Sequence, residues 1–338
     1  MDAASTLRRM IYGFRTTQLL AVLVQLGVPD RLRDGARSAA SLAADAGVEP
    51  QALHRVMRAL AAEGVLAEQP DGRYALTPLS ELLCSEADGS LRDVACLYGE
   101  PWLWQAYGAL QHSVRTGASA FEHVHGAPFY DHLAQHADAA DAFQRAMSGF
   151  TAREVNAIVS ACQQAGVLRG VGTLVDVGGG RGALLAALLQ RDAQLRAVLF
   201  DTADTVAAAA QALRDAGLSA RCACVAGDFL RAVPQGGELY ILKSVLHNWR
   251  DEAATTLLRN CRRAMGAAAR LLIAERVVEA GARGDEAKRF DINMMVTVGG
   301  LERTAAEYAA LLQAAGLRLR QVWPTASALS VLEAVPLP

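Results

Sequence analysis

An acidic residue ahead of a glycine run, and one histidine just after a strand, carry the chemistry this sequence can do. Leu174-Val175-Asp176-Val177 leads into Gly178-Gly179-Gly180-Arg181-Gly182 and then into 183–190, spaced as a helix. Glycines let a backbone turn tightly and approach a ligand closely. Taken alone, Gly178-x-Gly180-x-x-Ala183 also reads as a dinucleotide loop, so an NAD site stays open. Asp176 argues against it: a carboxylate two residues before the first glycine repels a diphosphate and attracts a ligand bearing an ammonium and a sulfonium. Asp201 ends the next strand, where a carboxylate can take ribose hydroxyls. Gly227-Asp228-Phe229 ends the third, pairing an acceptor for an adenine amino group with an aromatic face.

His247 follows the strand 238–243 at the carboxyl edge, where pockets of such sheets form, and Asn248 and Trp249 come next. An imidazole, unperturbed near pKa 6.5, is well matched to act as a general base. His123-x-His125 and His132-x-x-x-His136 have spacings a metal could use, but no cysteine or glutamate completes a zinc set of the usual kind, and no metal is expected. The chain has only two lysines, Lys243 and Lys288. Its six cysteines (Cys84, Cys96, Cys162, Cys222, Cys224, Cys261) form no paired framework and read as buried or half-buried thiols.

The elements that position these residues divide by pattern. From 172 onward strands and helices alternate: strands 173–177, 196–200, 220–226, 238–243 and 271–277, with helices 183–190, 206–216 and 252–265 between them. That alternation predicts a doubly wound, mostly parallel sheet with helices on both faces. Residues 1–95 read as helices plus a hairpin: a helix 41–46 stopped by Gly47, a second opened by Pro50 with Leu53, Val56, Met57 and Leu60 at helical spacing, then strands 65–68 and 73–76 about Pro70-Asp71-Gly72. Thr77-Pro78 starts another helix. This is a winged helix. Residues 96–165 read as a helical segment rich in aromatics, and 166–338 as the catalytic domain.

A winged helix raises the possibility of a DNA-binding regulator that senses a nucleotide. Residues 1–95 carry 10 arginines, no lysine and 12 acidic residues, the wrong balance for a phosphate-binding face, so a dimerisation module is expected instead. Over all 338 residues 33 basic groups face 35 acidic ones, which gives no general pull toward nucleic acid or anionic lipid. Arg8-Arg9 before the apolar stretch 19–28 superficially resembles an export signal. Gln18 and Gln25 interrupt it and no cleavage site follows, so the chain is expected to be cytoplasmic, without a membrane span.

The chain resembles the plant-type (caffeate- and hydroxyindole-type) small-molecule O-methyltransferases, in a bacterial version from secondary metabolism. The resemblance rests on Pro128-Phe129-Tyr130-Asp131, Phe143-x-x-Ala146-Met147, Asp176–Gly182, Gly227-Asp228-Phe229, Leu242-Lys243-x-x-Leu246-His247-x-Trp249-x-Asp251-Glu252 and Gly299-Gly300-x-Glu302-Arg303-Thr304. It implies a Rossmann-like domain binding S-adenosylmethionine, leaving S-adenosylhomocysteine, in a homodimer acting without metal on a small hydroxylated aromatic. By this resemblance Asp176, Gly178, Gly180, Asp201, Asp228, Phe229, Lys243 and Ser244 hold the donor. His247 takes the proton of a phenol, whose own pKa near 10 keeps it neutral at pH 7. Glu302 is its acidic partner and Glu275 the second, although Arg276 beside Glu275 would also suit a plain surface pair. Trp102, Phe143, Met147, Phe150, Asn248, Trp249, Asn293 and Met294 line the acceptor pocket. Plant members commonly carry Asp after the histidine; Asn248 keeps the hydrogen bonding without the charge. Methylation of a ring nitrogen is the rival within enzymes, because a free lone pair needs no base.

Overall fold

The computed structural model describes residues 2–281 and 285–338, apart from the side chains of Phe150 and Ala152. It falls into two compact units, Met1–Gly108 with Tyr130–Phe150, and Ala109–Phe129 with Thr151–Pro338. In the first, the helical spacing of Leu53, Met57 and Leu60 builds helix Pro50–Ala62 and puts all three in a core with Leu23, Val24, Leu42, Leu66 and Tyr74. The preceding helix spans Ala39–Ala46 rather than starting at Ser41, because Ser38 caps it by accepting the Ser41 N–H. The wing has three strands, not two: β1 (Arg37–Ser38) pairs with β3 (Arg73–Leu76), which pairs with β2 (Leu66–Glu68), all antiparallel. A two-residue strand leaves too short a pattern to read in sequence.

In the second unit seven strands form one sheet: β4 (Thr173–Val177), β5 (Arg196–Asp201), β6 (Cys222–Ala226), β7 (Leu239–Lys243), β8 (Arg270–Glu275), β9 (Leu317–Pro324) and β10 (Ser330–Pro336). Their order is β6-β5-β4-β7-β8-β10-β9. The five from β4 to β8 run parallel, and β10 lies antiparallel to both β8 and β9. The β9–β10 pair was not anticipated. Successive side chains on a strand point to opposite faces, and the central strands use this to serve two cores. Leu174, Ile241 and Leu272 pack on one side of the sheet against Val159, Leu185 and Leu188. Val175, Tyr240, Leu242, Leu271 and Ile273 pack on the other against Leu257, Leu258 and Tyr308.

Chain direction reverses about β4: one crossover carries it to β5, and a later one returns it to β7 on β4's other side. The crevice at the carboxyl ends of β4, β5 and β7 is where an open sheet of this kind takes its ligand. Cys84, Cys162, Cys222 and Cys261 are buried, and all six cysteines are free. Among the described residues no helix is long and apolar enough to cross a membrane.

Ile241 is 1% exposed at the centre of this sheet. Ile241→Ala should lower unfolding free energy by about 2–5 kcal/mol, read from the urea midpoint.

Candidate active site

The loop after β4 is shaped by its glycines and by two carboxylates. Gly178 adopts φ +72°, and a Cβ there would come within 2.7 Å of the Val245 side chain, so no other residue fits. Gly180 donates its N–H to Asp201 Oδ2 at 2.9 Å, which ties the loop to the end of β5. Asp176 is 2% exposed, and its Oδ1 has no hydrogen-bond partner among the described residues. Burial pushes its carboxyl up to about 7, with Lys243 pulling the other way and Asp201 adding to the rise. An unsatisfied carboxylate of this kind is costly unless a cation meets it. Phe229 stands beside the loop, in edge contact with Trp249 at 5.9 Å between ring centroids. Asp228 is exposed and takes the Leu230 N–H at 2.8 Å.

Beyond β7 the backbone bends sharply. Ser244 has φ +55°, a left-handed conformation that costs a non-glycine residue about 1–3 kcal/mol and must be held by its surroundings. What holds it is Glu275, wholly buried at the end of β8. Its Oε1 accepts the N–H groups of Val245 at 2.9 Å and Leu246 at 2.8 Å, with that of His247 at 3.4 Å. The turn therefore wraps a carboxylate and delivers His247 on a short 3-10 helix, Leu246–Asn248.

The second oxygen of Glu275 lies 3.1 Å from His247 Nδ1, and Glu302 Oε1 lies 3.0 Å from the same nitrogen. The alignment favours Glu302 as acceptor of the Nδ1–H, with Glu275 beside it as a close charge. Burial works against a charged imidazole, but the two carboxylates outweigh it and lift His247 to about 10. Burial likewise opposes ionisation of Glu275, yet His247 and the backbone N–H groups hold it below the ordinary range. Glu302 moves up, through burial and the neighbouring Glu275. Donor atoms of the three lie within 4.8 Å of one another, a spacing a cation could also use.

Glu302 is positioned from three sides. Its N–H donates to Asp291 Oδ1 at 2.7 Å, and Leu301 N–H donates to the His247 carbonyl at 2.9 Å. Gly300 permits that approach, since a Cβ there would overlap the His247 carbonyl oxygen. Arg303, 1% exposed, donates to the carbonyls of Leu246 at 3.1 Å and Trp249 at 2.8 Å, and its Nη2 reaches Asp251 at 2.8 Å. It clamps the turn that carries the histidine. Thr304 and Glu307 cap helix Ala305–Ala314 reciprocally just beyond.

Other expected residues are spread more widely. Lys243 forms a 2.7 Å ion pair with Glu154 on helix Ala137–Gln164. Asn248, half-buried, reaches the Ser244 carbonyl at 3.4 Å, Met294 is buried, and Asn293 is half-buried. Trp102, Phe143 and Met147 lie in the first unit, packed with Leu97, Leu103 and Ala146. The side chain of Phe150 is outside the described residues. Arg276 is not in a surface pair: it is 6% exposed, lies over the Phe290 ring at 3.8 Å and faces Glu154 at 3.8 Å. Roles for Glu154, Arg276, Phe290, Asp291 and Arg303 were missed, although Arg303 sits within the quoted motif.

A parallel sheet with a glycine loop at its switch point, an unpaired acid beneath that loop and a buried histidine beside it define a nucleotide-dependent group-transfer enzyme. Residues 107–318 match the O-methyltransferase domain family and residues 9–86 the O-methyltransferase dimerisation domain, and the chain belongs to this family. It is 39% identical to phenazine O-methyltransferase of Lysobacter antibioticus, over 99% of this chain and 96% of that one. It is 36% identical to 8-amino-8-demethylriboflavin N,N-dimethyltransferase of Streptomyces davaonensis, over 98% and 95%. Among solved structures it resembles an O-methyltransferase from neocarzinostatin biosynthesis in complex with S-adenosylmethionine and 2-hydroxy-5-methyl naphthoic acid, with 32% identity, coverage of 95% and 96%, and a TM-score of 0.82. The protein is a methyltransferase that uses S-adenosylmethionine. The site fits that donor: the buried Asp176 Oδ1 has no hydrogen-bond partner among the described residues, and nothing stands within 4 Å of where a Cβ on Gly180 would lie.

If Asp176 meets an ammonium group, affinity must depend on its ionisation near pH 7. Below that pH the carboxyl is protonated, so the dissociation constant of S-adenosylhomocysteine should rise by up to about tenfold per pH unit. Calorimetry from pH 5.5 to 8.5 checks this, and Asp176→Asn should bind weakly and without the pH trend.

Proposed function

We propose that the enzyme transfers the methyl group to a hydroxyl of a small aromatic or heteroaromatic metabolite, with His247 as general base and without a catalytic metal. The observation that carries this reading is the grip of Glu302 at 3.0 Å and Glu275 at 3.1 Å on one imidazole nitrogen. With Nδ1 committed to the carboxylates, Nε2 is left for an acceptor, and the ring cannot rotate out of line. S-adenosylmethionine supplies a methyl carbon already activated by the positive sulfur to which it is bonded. A hydroxyl acceptor must lose its proton before or during transfer, and His247 takes it. The carboxylates make the imidazole a strong base but also hold it protonated at neutral pH. The positive sulfur of S-adenosylmethionine, when bound, would act in the opposite sense and bring the ionisation back toward neutrality.

Asp176 is assigned to the ammonium of the donor, Asp201 to its ribose, Asp228 and Phe229 to its adenine, and Gly178 and Gly180 to close backbone approach. Lys243 and Ser244 complete that set from the end of β7. Asn248, Trp249, Asn293 and Met294 are assigned to the acceptor. The phenazine O-methyltransferase relative and the relative in complex with 2-hydroxy-5-methyl naphthoic acid support a ring system as acceptor. The dimerisation domain supports a homodimer built through residues 9–86. The dimerisation domain is assigned residues 1–95, a helical segment 96–165 and the catalytic domain 166–338. The second reading, transfer to nitrogen, draws on the flavin N,N-dimethyltransferase relative.

His247→Ala should lower turnover on a hydroxyl acceptor by about 10²–10⁴ with donor affinity near normal. Unchanged turnover would favour a nitrogen acceptor. In the native enzyme kcat/KM should rise with pH as His247 loses its proton. Glu302→Gln removes one of the charges that raise that ionisation, so the rise should move to lower pH by about 1–3 units. A pH–rate profile that stays in place contradicts the assignment.

A further inference from the structure

We infer that Arg276 recognises a carboxylate on the acceptor, so that the enzyme's substrates are hydroxylated aromatic acids; this rests on the reading of the acceptor given above. Arg276 is 6% exposed, and its Nε, itself closed to solvent, has no hydrogen-bond partner among the described residues. Its nearest carboxylate, Glu154 Oε1, stands 3.8 Å from Nη2, beyond hydrogen-bond reach. Glu154 gives its other oxygen to Lys243 at 2.7 Å, so its charge is already matched. A buried guanidinium with unspent donors is costly, and a planar carboxylate is the group its fork fits.

The position of Arg276 suits an aromatic acid. It follows Glu275 directly at the end of β8, and its Cζ lies 3.8 Å over the Phe290 ring. That ring is 6.2 Å from the His247 imidazole. Arg276 also acts on Glu302, favouring its ionised form. The cation and the base thus share one aromatic neighbour, Phe290. An acceptor with hydroxyl and carboxylate on neighbouring ring carbons could present the first to His247 and the second to Arg276. Glu275 and Glu302 each direct one oxygen at His247 Nδ1.

Calorimetry on full-length protein saturated with S-adenosylhomocysteine tests this with two probes, 3-hydroxy-2-naphthoate and 2-naphthol, which differ by the carboxylate. Native protein should bind the acid more tightly by about tenfold to a hundredfold. Arg276→Met should lose that preference while binding S-adenosylhomocysteine and 2-naphthol as before, and Arg276→Lys should keep part of it. Equal binding of the two probes by native protein overturns the inference, as does a preference undiminished in Arg276→Met. If Arg276→Met fails to bind S-adenosylhomocysteine, the lysine variant decides, and a full preference there also overturns it. No proton is transferred in this assay, so full turnover by His247→Ala would defeat the base assignment and leave this result standing.

Discussion

One buried carboxylate, that of Glu275, does two jobs that the rest of the site depends on. One oxygen gathers the backbone N–H groups of Val245 and Leu246 and so fixes the turn after β7. The other faces the imidazole which that turn carries. An uncompensated charge at zero exposure would be severely destabilising. Here the compensation comes from the backbone and from the histidine together, so the fold of the turn and the basicity of the ring share one source. The left-handed Ser244 is tolerable for the same reason: the surrounding hydrogen bonds over-determine it.

The sheet makes this economical. Parallel β7 and β8 place their carboxyl ends side by side, which brings Glu275 under the segment following Lys243. Neighbouring β4 and β5 end at the same edge, where Asp201 secures the glycine loop through Gly180. Both sides of the crevice are thus organised by acids at strand ends that the register aligns. Glu302 arrives from a separate segment and needs more support. Gly300 lets that segment lie against the His247 carbonyl, Asp291 takes the Glu302 N–H, and Arg303 ties the same segment back to the turn.

Much of this was legible in the sequence. Asp176, the glycine loop and the strand-end Asp201 declare themselves because local spacing decides their environment, and the parallel strands do so because their apolar runs are continuous. His247 stood out by type and place. Its pairing with Glu302 came from resemblance, since no local rule links residues so far apart in the chain. Arg303 and Asp291 act through contacts made only once two loops meet, and nothing in their own neighbourhoods marks them. Arg276 entered only as an alternative surface partner for Glu275, for a related reason. An Arg beside a Glu usually signals a surface, but here both sit at a strand end roofed by helix Glu286–Thr297 through Phe290. The β9–β10 pair escaped although Leu317–Arg320 alternates apolar and polar residues as a half-buried strand does; the strands read from the sequence end at 277.

The most direct measurement of the central cluster is a nitrogen-15 NMR titration of the His247 ring in donor-free protein, assigned by its loss in His247→Ala. The geometry requires Nδ1 to keep its proton throughout and the ring to ionise far above the unperturbed value near 6.5, toward about 10. A ring that ionises at or below 6.5, or whose neutral form carries its proton on Nε2, would contradict the grip of Glu275 and Glu302 on that nitrogen.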